Sequence, residues 1–291
     1  MLGKLIKHDF KSTSKVMIPI SFAFVAITLL GVLFLGTKLM QREELLPLTI
    51  TLLVAYILTL VTLTMVTQIY LIVHFYRNMF SAQGYLTFTL PSSPQKIFHS
   101  KMLVGCAWML LISVLSVVSA LVLIGVASGF ENISSIIQEI CSMELFTAGD
   151  LDAHFSASLT DVMGYTSGQL VLLTVILTLV SIYYNISIGF GSVTIGQLYA
   201  KHKVVGAVLV YVGFYLLMQI LSTITIFFIC LRPVLDILAT PEGELEGMAF
   251  IQMMRSIYQP MFPSMILTQL GAGILCHIAS ILIVNKKVNL D

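Results

Sequence analysis

The residues best placed to do chemistry here carry no charge. Within the charge-free run Pro47 to Val73 stand Tyr56, Thr59, Thr67 and Tyr70. At 100° per helical residue they share a sector of about 80°. Within Val204 to Leu231, Tyr211, Tyr215, Gln219 and Ser222 do the same, again spanning about 80°. Phenol, hydroxyl and amide groups in a stripe can hydrogen-bond and stack against a passing molecule. The chemistry such stripes suit is a translocation path. A plainer use also exists: membrane Ser and Thr bond their own helix carbonyls, and Tyr favours interfaces. A third face, Ser181, Asn185, Gly189, Ser192 and Gly196, is built of small residues that let helix backbones approach closely, so packing is its expected role.

Other chemistry is missing from the chain. No phosphate-binding G-x-x-x-x-G-K-[ST] or zinc-binding H-E-x-x-H occurs. No pair of membrane-embedded carboxylates and no nucleophile elbow is found. His277 and His74 stand singly in or beside apolar runs, where a hydrogen-bonded packing role is expected. Cys106, Cys141, Cys230 and Cys276 show no metal-ligand spacing. No catalytic residue, metal or cofactor is therefore assigned to this chain.

The elements that position these residues follow from composition. The chain has 291 residues, 58% hydrophobic and only 10% charged, against about 25% charged in a soluble domain. Its backbone must be satisfied inside lipid, by helices or a closed barrel. The apolar runs far exceed the roughly ten-residue alternating strands of a barrel. The expected fold is an all-α integral membrane domain, residues 1–291. Its six transmembrane helices are placed at about 16–36, 47–73, 102–127, 169–195, 204–231 and 263–284. A net charge of +1 gives no reason to expect nucleic acid.

Orientation follows from the loops. One side holds 11 of the Lys and Arg residues and the other 4, so the first is cytoplasmic, with both termini inside. Residues 1–15 place Leu5, Ile6 and Phe10 on one helical face, with Lys4, Lys7, Lys11 and Lys15 around the rest. This pattern predicts an amphipathic interfacial helix anchored on the inner membrane surface. The cytoplasmic stretch 74–101 is long and aromatic. Outside lie 128–168, where Ile133, Ile136, Ile137, Ile140 and Leu145 have helical spacing, and 232–262, with Leu245, Met248, Ile251 and Met253. Both are expected to hold short surface helices.

Charge within a span costs at least about 2.5 kcal/mol, and ion-coupled carriers accept that cost. None of the six spans does. A self-contained carrier is thereby disfavoured, and energy for transport would come from another chain. A channel, a peptide-sensing membrane subunit and a membrane enzyme are the alternatives; the last needs a polar catalytic set that the residues do not supply.

Three segments resemble a known family. They are Leu5-Ile6-Lys7-His8-Asp9-Phe10-Lys11; Tyr76-Arg77-Asn78 with Gly84-Tyr85-Leu86-Thr87-Phe88-Thr89-Leu90-Pro91 and the closing Ser100-Lys101; and Ile195-Gly196-Gln197-Leu198 with Lys201-His202-Lys203 and Gly206. The chain resembles the membrane (permease) subunit of ABC-2 type exporters, in the branch serving antimicrobial-peptide, lantibiotic and bacitracin-like export or resistance. The resemblance implies a bacterial plasma-membrane dimer with a second, identical or paralogous subunit. It also implies two copies of a separate ABC ATPase that carry the ATP and Mg. It further implies a cytoplasmic coupling helix in 74–101, with Arg77, Asn78, Met79, Phe80, Tyr85, Leu86 and Phe88 meeting the ATPase, and a path lined by the second and fifth spans. Such a subunit is not catalytic by itself. The outer loop between the third and fourth spans is longer than in the better-known pattern.

Overall fold

A computed structural model of the protein describes residues 2–35, 46–81, 84, 93–128, 144–147, 156–199, 203–238 and 247–286. Six long helices account for most of them: α1 (Leu2–Leu35), α2 (Leu46–Phe80), α3 (Pro94–Ser128), α5 (Ser167–Gly196), α6 (Lys203–Leu238) and α7 (Gly247–Lys286). Between α3 and α5 lie β1 (Glu144–Thr147), β2 (Ser156–Ser158) and the single-turn α4 (Leu159–Met163). All six long helices are long and apolar enough to cross a membrane. The chain is a multi-pass, helical membrane protein.

Each expected span lies inside one of these helices, apart from Gly36, which falls outside the described residues. The helices are longer than the spans. At 30 to 40 residues they measure about 45–60 Å, against a hydrocarbon core of about 30 Å. A charge-free run ends at the first lysine, but the helix does not. Residues 2–15 thus continue into α1 without a break, and no separate N-terminal helix stands apart from the first span. Likewise 74–80 complete α2 and 94–101 begin α3, so both ends of the expected cytoplasmic loop 74–101 are helical. Ser93 and Pro94 open α3 in the preferred way: Pro at the first helical position needs no hydrogen-bond acceptor, and the Lys96 amide donates to the Ser93 carbonyl at 2.9 Å.

The stretch 128–168 does hold one short helix, α4, but not at the apolar positions that suggested it. Leu145 lies in β1, which pairs antiparallel with β2, Thr147 opposite Ser156. Phe and Thr favour a strand here, and the helical spacing rested on Ile133, Ile136, Ile137 and Ile140, which lie outside the described residues. In 232–262, Met248, Ile251 and Met253 belong to α7 itself rather than to a separate helix; Leu245 lies outside the described residues.

The chain divides into two compact units. The first comprises Met1–Glu131, Ile182–Val212 and Gly273–Asp291; the second comprises Asn132–Ser181 and Gly213–Ala272. Three of the boundaries between them fall inside α5, α6 and α7. The first unit is built on α1 packed against α3 and α2. Phe75 is at its centre, stacked on Phe190 at 4.1 Å and edge-on to Phe98 at 5.8 Å. Met17, Met79, Met102 and Ile186 fill the space around these rings. Farther along α1 a smaller cluster joins Phe24, Leu60 and Ile112.

In the second unit, Gly164 has φ +69° and follows α4. A Cβ there would approach Arg255 Nε to 2.4 Å, so both the left-handed backbone and the close side chain require glycine. Thr166 then caps α5 reciprocally: its amide donates to Gln169 Oε1 at 3.0 Å, and the Gln169 amide donates to Thr166 Oγ1 at 3.4 Å, a capping box. Tyr165 Oη donates to the Gln259 carbonyl at 2.7 Å, and Ser181 Oγ to Gln269 Oε1 at 2.7 Å. The first bond ties the turn before α5 to α7, and the second ties α5 itself to α7.

Candidate functional site

The basic ends of α1 and α3 meet in a buried polar cluster. Lys101 Nζ donates to Asp9 Oδ1 at 3.1 Å, and Ser100 Oγ donates to Asp9 Oδ2 at 2.6 Å. The two charged side chains are 8% and 13% exposed, so this pair is an internal contact and not a surface ion pair. One turn on, Trp108 Nε1 donates to Thr13 Oγ1 at 2.8 Å, and the Trp108 ring stacks on Phe10 at 4.6 Å. A bond of this kind contributes about 1 kcal/mol net. Asp9, Thr13, His74 and Lys101 also border a cavity of about 20 Å³, enough for one water molecule. His74 is bonded to Asn78 at 2.7 Å and stacked on Tyr70.

Of the expected anchor residues, Phe10 borders this cluster and remains 40% exposed. Phe10 is turned toward Trp108 and Ile6 toward the core; Leu5 is half-buried, while Lys4, Lys7 and Lys11 are exposed. The two segments quoted for the resemblance, at Asp9 and at Ser100-Lys101, touch each other. Sequence reasoning missed the Asp9–Lys101 pair. Its only signal was one acid in an otherwise basic helix.

The expected coupling residues separate. Arg77, Asn78, Met79 and Phe80 form the last turn of α2. Arg77 is exposed, Phe80 is half-buried edge-on to Phe75, and Met79 is fully buried in the core. Met79 is therefore corrected from a docking residue to a core residue: it lies on the same face of α2 as Phe75, one turn away, and that face is covered. Tyr85, Leu86 and Phe88 lie outside the described residues.

The stripe on α2 does not form one open face. The Tyr56 hydroxyl bonds to Ser119 on α3, which also bonds to Thr28 on α1 at 2.6 Å. Thr67 is fully buried and donates to the Leu63 carbonyl; Thr59 is exposed and donates to the Ala55 carbonyl. Tyr70 packs beside the core. On α6, by contrast, Tyr211, Tyr215, Gln219 and Ser222 are all exposed, with Ser222 donating to its own helix at Gln219. Between Lys203 and Leu235 only Gly206 and Pro233 of α6 are buried.

The small-residue face of α5 packs. A Cβ on Gly189 would come within 2.7 Å of the Ile72 side chain, and one on Gly196 within 2.4 Å of the Ala207 amide nitrogen. Gly196 and Gly206 thus form a close corner between α5 and α6. His277 stacks on His99 at 5.1 Å, so it is paired rather than lone; its Nδ1 is buried without a hydrogen-bond partner among the described residues. Beside the corner, α2, α5 and α6 enclose an apolar groove of about 440 Å³, with Tyr211 among its walls.

Comparison with family models, with curated proteins and with solved structures finds no match for the chain.

Proposed function

We propose that this chain is the transmembrane subunit of an ATP-driven exporter, moving a hydrophobic or amphipathic peptide, or a lipid-like molecule, out of the cell. The observation that carries this reading is the line Tyr211, Tyr215, Gln219 and Ser222, exposed on a helix that buries almost none of itself against the rest of the chain. Such a helix needs lipid or a second subunit on its free sides, and polar aromatic groups suit a path between two subunits better than lipid. The six expected spans contain no Asp, Glu, Lys or Arg, which disfavours an ion-coupling group within them. A separate ATPase pair, carrying ATP and Mg, supplies the energy in this reading. It docks on the connection 81–93 and the exposed end of α2, where the coupling helix would lie. The start of α1 rests at the inner surface of the plasma membrane, with both termini in the cytoplasm.

The stripe test uses the complex of this chain with its ATPase in lipid. Tyr215→Ala and Gln219→Leu are expected to change substrate-stimulated ATP hydrolysis severalfold, with basal hydrolysis and yield of the complex preserved. Leu216→Ala, exposed off the stripe, serves as the control. Equal effects on and off the stripe would remove α6 from the path.

A further inference from the structure

One face of α1 changes character along its length. Ile18, Phe22, Val25, Leu29 and Leu33 share a sector of about 80°, and their exposure runs from 45% at Val25 to 69% at Phe22. In a membrane chain such a face meets acyl chains. Lys4, Lys7, Lys11 and Lys15 fall in the same sector of about 80°, and all four are exposed. The lysines are therefore not the polar side of a helix lying flat on the surface; they prolong the lipid-facing side of a span. Asp9, the one acid of residues 1–15, points the other way into its pair with Lys101, and among the described residues none of the four lysines has an ion pair. From Ile18 to Leu33 the helix rises about 22 Å, within a hydrocarbon core of about 30 Å. Lys15 and Lys11 follow about 5 and 10 Å beyond Ile18, at the level of the headgroups.

We propose that this lysine stripe binds the headgroups of anionic phospholipid, with Lys11 and Lys15 as the principal contacts. The acyl chains lie along Ile18, Phe22 and Val25, so one lipid molecule meets both halves of the face. A zwitterionic headgroup brings its own cation and gains little from the stripe. Each lysine near an anionic membrane surface strengthens attachment about fivefold. The rival occupant is an acidic protein surface in water; the continuity of the stripe with an acyl-facing surface favours lipid. The proposal does not depend on the exporter reading, only on α1 crossing a membrane.

The chain carries its own reporter. Trp108 is its only tryptophan, and it stacks on Phe10 and donates to Thr13 beside the stripe. The test is quenching of Trp108 fluorescence in the full chain, reconstituted in vesicles of phosphatidylglycerol and phosphatidylcholine with bromine on the acyl chains of one lipid or the other. The wild type is expected to favour phosphatidylglycerol at this place at least about fivefold. Lys11→Gln with Lys15→Gln removes two of the 11 cations of the inner side and is expected to bring the two lipids within about twofold. Lys11→Arg with Lys15→Arg keeps the charge and is expected to keep the preference. Arg77→Gln with Lys96→Gln, a charge-matched pair exposed at the inner ends of α2 and α3, is expected to leave it unchanged. Unquenched Trp108 emission checks that each variant keeps its native packing, and Lys4→Gln with Lys7→Gln repeats the test should the first pair fail that check. Equal quenching by both lipids in the wild type overturns the proposal and leaves the stripe to an acidic partner in water. An undiminished preference in the folded Gln variants overturns it, and so does an equal loss in the charge-matched pair.

Discussion

Replacing Lys101 by Met, with Asp9 left in place, is expected to destabilise the chain by about 3 kcal/mol or more. The single change strands a carboxylate that is 13% exposed. It keeps the Ser100 hydroxyl donor, which cannot replace a cation. Asp9→Asn strands the Lys101 ammonium and is expected to cost a similar amount. The double variant, Asp9→Asn with Lys101→Met, removes both charges and is expected to recover more than half of either loss, since a buried pair often gives little net stability over neutral packing. Unfolding of the purified chain by titration with a denaturing detergent, analysed as a double-mutant cycle, measures all three. Single variants within about 0.5 kcal/mol of wild type would mean that water reaches the pair and screens it as at a surface.

The second large effect is expected at the α5–α6 corner. Gly196→Ala places a methyl group 2.4 and 2.5 Å from the Ala207 backbone nitrogen and Cα. Backbone cannot rotate away as a side chain can, so one of the helices must shift. Overpacking of this kind costs typically 1–3 kcal/mol, and the upper part of that range is expected here. Gly191→Ala should cost less, although its Cβ would approach Cys276 Sγ more closely still, because the thiol can change rotamer. Gly213→Ala meets nothing within 4 Å; it is expected to be neutral or to gain up to about 1 kcal/mol from helix propensity. The same detergent titration ranks the three, and a Gly196→Ala chain as stable as Gly213→Ala would show that the corner yields freely.

These two sites also show where the sequence was legible. Six helices could be read because a membrane span requires a long run without charge. Their ends could not, since Lys4 to Lys15 and Lys96 to Lys101 sit on helices that continue past the apolar run. The packing of Gly189 and Gly196 was readable from residue size and spacing alone. The Asp9–Lys101 pair was not, because its members are 92 residues apart and nothing local marks either one. Angular spacing placed Tyr56 and Thr67 on one sector of α2, but it carries no information about which neighbour covers that sector. Ser119 and the α2 backbone take up those groups. On α6 the same reasoning met no covering neighbour, and its stripe remains exposed. Strand β1 escaped because one of the five apolar positions that suggested a helix, Leu145, belongs to a four-residue strand.

The central claim is that a separate ATPase docks on the end of α2 and the connection that follows it. Aromatic and Arg side chains are favoured anchors of protein interfaces, and Arg77, Phe80 and Tyr85 are the anchors named here. The direct measurement is co-expression of this chain with a candidate phosphate-loop ATPase, co-purification of the two, and titration of that ATPase onto the immobilised membrane chain. A stable complex is expected. Phe80→Ala with Tyr85→Ala is expected to weaken it more than about tenfold, as loss of hot-spot contacts would, while Lys286→Ala leaves it unchanged. A folded double variant that binds with wild-type affinity would contradict the docking surface, and a membrane chain that binds no ATPase at all would contradict the exporter reading.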